Sequence, residues 1–376
     1  MTNILQILPK LNSGGVERGT IEIATAITKA GFKSYVISAG GKMVAQLAAT
    51  KTEHILLDVA SKNPFKIWLN AFKIRKIIQN KKIDLVHARS RVPAISAYLA
   101  CKNTSAKFIT TFHGVYSGKS ALKKKYNSIM LKGEKIITVS NFIKNHIQTN
   151  YNFTDMNRVK TIYRGVDLNE FNLKKVSKTK IATYIKTYQL PLDKKIILLP
   201  ARLTEWKGQL FFLEALTKVT NKNYHALIVG NIDIHSNYKN KLDNFVKENQ
   251  LEQQVSFLPA VSDLVNLYHL ADIVISASLR PEAFGRTIIE AGAMGKIVIA
   301  TNHGGAQETI INGKTGFLLA ELTNSELAQK IDYILNLNAT QKNNIATNAK
   351  TYVRKNFSVA KMQKETINLY KKILNL

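Results

Sequence analysis

Cysteine is almost missing from this chain: Cys101 is the sole one among 376 residues, so no internal disulfide can form, and a reducing compartment suits it. Long apolar runs are missing as well. No stretch approaches the roughly 18 consecutive apolar residues that a membrane span requires. The opening MTNILQILPKLNSGG has neither a basic n-region nor a long h-region and is read as a buried first strand, not a signal peptide. Together these features predict a cytoplasmic protein. Acidic side chains are scarce, 25 Asp and Glu against 54 Lys and Arg, for a formal net charge of +29. The imbalance is uneven: residues 1–190 hold 32 basic and 9 acidic side chains, the remainder 22 and 16. The first half is therefore expected to face an anionic partner, whether a bilayer surface, a phosphorylated glycolipid or nucleic acid. No Cys pair exists and no His pair stands at metal-ligand spacing, so a protein-held zinc is unsupported.

What is present is an ordinary globular composition, 45% hydrophobic and 21% charged, in a chain too long for one core, so two domains are expected. Short β-branched apolar runs alternate with helical stretches, the pattern of parallel sheets built from βαβ units. Strands are predicted at Ile4–Leu8, Ser34–Ser38, His54–Leu57, Asp84–His87, Phe108–Phe112, Lys135–Val139 and Val159–Tyr163. Helices between them include Val16–Ala30, Pro64–Asn80 and Val92–Lys102. After a Lys/Thr-rich stretch near Asn172–Lys180 the alternation restarts, with strands at Ile196–Ala201, Ala226–Val229, Val255–Leu258, Ile273–Ser276 and Ile297–Ala300. The fold class read from this is α/β, two doubly wound Rossmann-like domains joined near residue 175 and facing each other across a cleft. Ligands of such sheets bind beyond the carboxyl ends of the strands.

Five segments carry chemistry. SGGVERG (Ser13–Gly19) follows the first strand and opens a helix, where Gly15 and its neighbours allow a phosphate to approach backbone N–H groups; a tight strand-to-helix turn is the equal alternative. It is not G-x-G-x-x-G, and VISAGG, ending the second strand, lacks the acid that holds an adenosine ribose, so a dehydrogenase reading is weak. His113, in TFHG at the end of a strand, is placed to hydrogen-bond a sugar hydroxyl or a departing phosphate, or is simply structural; His87, His146 and His269 are read as structural. Arg202 and Lys207-Gly208, just after the first strand of the second half, offer a forked guanidinium and a point charge to two adjacent phosphates. In PEAFGRTIIE, Phe284 and Gly285 open a helix whose N–H groups suit sugar-phosphate oxygens. Glu282 and Glu290 flank that helix start as hydroxyl acceptors, Glu282 for a sugar and Glu290 for a ribose. Two carboxylates also serve glycosidases, but these flank a phosphate-type site. Finally, HGGAQETIINGKTGFLL carries Gly304-Gly305 before a helix, to line the phosphates, and later glycines as turns before a strand.

On GGVER, RGVD at Arg164–Asp167, Arg202 with Lys207-Gly208, the E-x7-E of Glu282 and Glu290, and Gly304-Gly305, nearly the whole chain resembles the family 4 glycosyltransferases, which have the GT-B fold. The resemblance implies a retaining hexosyltransferase that moves a sugar from a nucleotide donor without a bound divalent metal. No D-x-D clamp is present, Asp233 in GNIDI lacking a second aspartate. It implies an acceptor domain over 1–175, rejoined by a C-terminal helix 358–376, and a donor domain over 176–357. Arg202 and Lys207 would bind the pyrophosphate, Glu282 the sugar and Glu290 the ribose, with Gly15 and His113 approaching from the first domain; His113, Glu282, Arg202 and Lys207 are the implied catalytic set. Ala201 and Arg164 depart from the family's frequent Gly and Asn. PEAFGRT is similar to members that build lipopolysaccharide cores, which points to a cell-envelope glycolipid acceptor. No cofactor is expected beyond the donor, a UDP-sugar being favoured.

The basic half would then dock on an anionic membrane as a peripheral protein. Lys119–Lys132 and Pro64–Lys82 are the candidate contacts. The latter carries Phe65, Trp68, Leu69 and Phe72 at helical spacing, although such a stripe is usually core. Alternatives are a nucleotide-sugar epimerase on the same fold or a basic nucleic-acid-binding protein; no nucleic-acid module is recognisable, so no nucleic-acid partner is expected.

Overall fold

The computed structural model describes residues 1–12, 14–116, 118, 120–191, 193–231, 237–261 and 263–376. Ser13, Lys119 and Asp233, named above, lie outside them. The chain divides into two compact units, residues 1–164 with 359–376, and residues 165–358.

The first unit is built on seven parallel strands: β1 (Asn3–Ile7), β2 (Lys33–Ser38), β3 (Glu53–Leu56), β4 (Leu85–Ala88), β5 (Lys107–Phe112), β6 (Lys135–Thr138) and β7 (Val159–Thr161), in the order β3-β2-β1-β4-β5-β6-β7. Central strands covered by helices on both faces are predominantly apolar. Accordingly, Ile4, Leu5 and Ile7 of β1 and Leu85 and Val86 of β4 are fully buried. The last helix, Val359–Leu374, packs onto this sheet with Met362, Ile367, Leu369 and Tyr370 against Ile4, Ile27, Leu85 and Ile109. Tyr370 is anchored through its hydroxyl to His87 Nδ1 at 2.6 Å, and His87 Nε2 meets Thr111 Oγ1 at 2.6 Å.

The second unit has six parallel strands: β8 (Lys195–Pro200), β9 (Tyr224–Val229), β10 (Val255–Leu258), β11 (Ile273–Ser276), β12 (Ile297–Thr301) and β13 (Phe317–Leu319), in the order β10-β9-β8-β11-β12-β13. This is the doubly wound Rossmann order, in which the chain reverses direction across the sheet between β8 and β11. Grouped by contacts, the second unit begins at Gly165. Val166 donates to the Phe357 carbonyl at 2.8 Å and bridges Ser358, and the Phe171 ring lies 6.0 Å from that of Tyr268. Residues 165–175 thus belong to the second unit through contacts far away in sequence. The Lys/Thr-rich stretch beyond them forms the helix Lys178–Tyr188, capped by Ser177.

A candidate donor site at the β8–β11 switch point

Lys207 and Glu282, 75 positions apart, meet where the second sheet reverses. Lys207 ends a 3-10 turn, Glu205–Lys207, after β8. Glu282 lies in the loop after β11. The two loops are pressed together at Gly208, whose φ of +75° suits glycine and where a Cβ would sit 2.0 Å from the Ala277 carbonyl oxygen. Leu279 donates its backbone N–H to the Trp206 carbonyl at 2.7 Å, locking the loops in register. The result is an ion pair of 2.6 Å between Lys207 Nζ and Glu282 Oε1, with the side chains 16% and 24% exposed. Ser278 Oγ donates to the same carboxylate oxygen, and the ammonium lies 4.3 Å from the Trp206 ring centroid.

A third loop, after β12, braces the second. Gly305 donates to the Glu282 carbonyl at 2.8 Å. A Cβ on Gly304 would come within 2.4 Å of Glu282 O, and one on Gly305 within 2.3 Å of Phe284 Cα. The pair of glycines is therefore required for close backbone packing against Glu282–Phe284, whatever else it contacts. The Phe284 side chain is buried and meets Phe357 edge-on at 5.6 Å, so any part it takes in binding falls to its backbone. Gly285, at φ +88°, precedes the helix Arg286–Ala293 and places that helix N-terminus beside the Glu282 loop.

Glu290 is buried on this helix. Its Oε2 accepts from Tyr268 Oη at 3.2 Å and its Oε1 lies 3.4 Å from Arg286 Nε. Burial, then the Glu290 charge, pushes the Tyr268 phenol well above its ordinary range, so it stays protonated and remains a donor. Arg202 is exposed; its carbonyl accepts from Gln209 Nε2 at 2.8 Å. Ser278 and His303 join the site without standing out in the sequence. Burial lowers the His303 pKa, while the backbone of His303 and Ser278 and then the Glu282 charge oppose that shift. A signal for Ser278 existed in SLRPE, four residues ahead of Glu282; His303 offered only its place before Gly304-Gly305.

In the first unit, Gly15 opens the helix Gly15–Lys29, and its carbonyl accepts from Arg164 Nη2 at 2.5 Å. Gly19 makes room for that guanidinium: a Cβ there would lie 1.9 Å from Arg164 Nη1. His113 follows β5. Burial first, then Arg164, Arg89 and His87, hold it well below its ordinary pKa, and neither ring nitrogen has a partner. It is a neutral imidazole with one donor and one acceptor to offer, beside a cavity of about 20 Å³ lined also by Arg89, Thr111 and Arg164. Among the described residues no group of three or more His, Cys, Asp or Glu is placed to hold a metal ion, and no helix is long and apolar enough to cross a membrane.

The model of the Glycosyltransferase Family 4 matches residues 13–170, and that of Glycosyl transferases group 1 matches residues 180–352. A glycosyltransferase structure from Rickettsia africae ESF-5 is 45% identical, superposes with a TM-score of 0.92, and covers 99% of this chain and 98% of its own. The Anabaena protein Alr3699/HepE in complex with UDP has the same fold at 22% identity and a TM-score of 0.86, covering 99% and 100% of the two chains. The spore coat protein SA of Bacillus subtilis is 25% identical over 307 residues, 78% of this chain and 80% of its own. With both halves matched in order and the paired Lys207 and Glu282 at the switch point, this chain belongs to the family 4 glycosyltransferases.

Proposed function

We propose that the protein transfers a hexose from a UDP-sugar to a hydroxyl of a cell-envelope glycolipid, of the lipopolysaccharide-core kind, with retention of anomeric configuration and without a bound divalent metal. The observation that carries this reading is the Lys207–Glu282 pair set beside a helix N-terminus at the sheet's reversal. An arriving diphosphate offers Lys207 a stronger anionic partner, and the released carboxylate of Glu282 then accepts from sugar hydroxyls. Glu290 is the acceptor for the ribose, and Arg202, exposed after β8, adds a second cation for the phosphates. UDP and UDP-glucose are bound by HepE, which supports a uridine nucleotide here.

In the reaction proposed, the bond from the anomeric carbon to the diphosphate oxygen breaks while the acceptor oxygen bonds from the same face. The acceptor's proton passes to the departing phosphate oxygen. Lys207, Arg202 and the helix start at Gly285 stabilise the charge that develops there, as preorganised groups do most effectively. His113, neutral and with both ring nitrogens unpartnered, has a hydrogen bond to offer a hydroxyl. The excess of positive charge in residues 1–190 suits a peripheral position on an anionic bilayer, where such an acceptor resides.

Thermal shift with UDP-, GDP- and ADP-sugars tests the donor, since a ligand raises the melting temperature of the fold that binds it. UDP-sugars are expected to stabilise most, and activity to persist in EDTA. Full turnover by Lys207→Ala and Glu290→Ala together would overturn the site.

A further inference from the structure

The helix Pro64–Asn80 turns its aromatic side outward. Phe65 is 69% exposed, Trp68 53%, Leu69 38% and Phe72 43%, while Asn70, Ala71, Ile74 and Ile78 face the interior. The rings form one ridge: Phe65 and Trp68 stack at 6.2 Å, and Trp68 meets Phe72 edge-on at 4.4 Å. The helix is fixed in this rotation. Asn63 caps its start, Asn70 Nδ2 donates to the Asp58 carbonyl at 2.8 Å, Ser96 Oγ donates to the Ile67 carbonyl at 3.0 Å, and Arg75 Nη2 donates to the Leu99 carbonyl at 3.0 Å. An apolar ridge held outward on an ordered helix marks an interaction surface.

Charge identifies the occupant. Between Asp58 and Asp84 the sequence holds seven Lys and Arg and no acid. At 100° per residue, Lys66 and Lys73 border the ridge on one side, Arg75 borders it on the other, and Lys76 lies within it; all three lysines are exposed. A second copy of the chain would bring the same positive border against itself. Aromatic rings flanked by cations are instead the pattern of a helix lying in a bilayer interface, rings among the acyl chains and cations at the headgroups.

We infer that the outward face of the helix Pro64–Asn80 is a wedge that inserts Phe65, Trp68 and Phe72 into an anionic lipid bilayer. The wedge gives the membrane acceptor of the proposed function a physical means of access, and its purpose rests on that reading. Binding is then partly hydrophobic and persists at salt concentrations that abolish purely electrostatic adsorption.

The test uses the full-length protein and vesicles of phosphatidylcholine with or without phosphatidylglycerol. On the anionic vesicles Trp68 emission is expected to shift to the blue and to be quenched by acyl-brominated lipid; Trp68→Phe, which leaves only Trp206, abolishes both signals. Phe65→Ser with Phe72→Ser is expected to lower vesicle partition at least about tenfold. Being surface changes, these leave the melting temperature and the UDP-induced thermal shift as they were. Equal partition of the serine variant, equal binding to pure phosphatidylcholine, absence of Trp68 quenching, or loss of self-association in place of vesicle binding would each overturn the wedge. The UDP shift reports separately on the enzyme: its absence with vesicle binding intact removes the donor reading, and its presence without vesicle binding removes the wedge alone.

Discussion

The two units share a sheet order and handle positive charge in opposite ways at the same topological point. In the second, the cation beyond β8 is matched by a carboxylate beyond β11, Lys207 with Glu282, and one helix further on Arg286 is matched with Glu290. In the first, the corresponding strands β1 and β4 bring together Gln6 and Arg89, and the Arg89 Nη1 donates to the neutral Gln6 Oε1 at 2.9 Å. Arg164 nearby donates to a carbonyl, and His113 stays uncharged among them. A cation held by a carboxylate can exchange it for a phosphate at little net electrostatic expense, because one anion replaces another. The Arg89 guanidinium bonds to an amide and also feels the Glu22 charge, and burial together with Arg164 and Arg89 keeps His113 neutral.

The comparison breaks most visibly if its charged member is removed. Lys207→Ala is expected to reduce kcat and kcat/KM together by about 10²–10³-fold, as loss of a group stabilising the leaving oxygen does; steady-state kinetics with a UDP-sugar and acceptor would show it. Gly208→Ala should destabilise by about 2–4 kcal/mol, since the new Cβ would collide with the Ala277 carbonyl at a φ of +75°, and a urea titration would measure it.

The first unit is sharpened by a double-mutant cycle. Gly19→Ala displaces the Arg164 guanidinium and should cost about 1–3 kcal/mol alone but much less in an Arg164→Ala background, the non-additivity expected of touching residues. The pH dependence of stability probes His113. Its folded pKa lies well below that of the unfolded chain, so the unfolded state binds more protons below about pH 6.5. Stability is therefore unaffected at higher pH and falls as pH drops through that value, by at most about 1.4 kcal/mol per pH unit. His113→Gln should flatten that slope, although His87, shifted the same way, retains part of it. Tyr268→Phe, the smallest change, should lower stability by about 1 kcal/mol by taking one donor from buried Glu290.

Much of the sheet architecture was legible because a strand covered on both faces is predominantly apolar, and runs such as KIILLP and IVIS announce that directly. Lys207 and Glu282 could each be singled out, but not their ion pair, since nothing local relates residues 75 positions apart. The place of Val166 and Phe171 in the second unit is hidden for a similar reason: it rests on partners at Phe357 and Tyr268. The aromatic stripe shows the same limit. Periodicity gathered Phe65, Trp68, Leu69 and Phe72 on one face and could not tell which face the protein covers; Asn70, Ala71, Ile74 and Ile78 took the interior instead.

By itself, the sequence determined two parallel α/β sheets, an uneven positive charge, and the glycines, cations and carboxylates of the candidate site, because these follow from periodicity and chemical type. Tertiary structure alone decided which cation meets which carboxylate, that Gly19 leaves the space the Arg164 guanidinium fills, and that four apolar side chains on one helix face solvent. Each of these is a contact between segments remote along the chain, and their approach is set by packing of whole elements, on which no short stretch of sequence carries information.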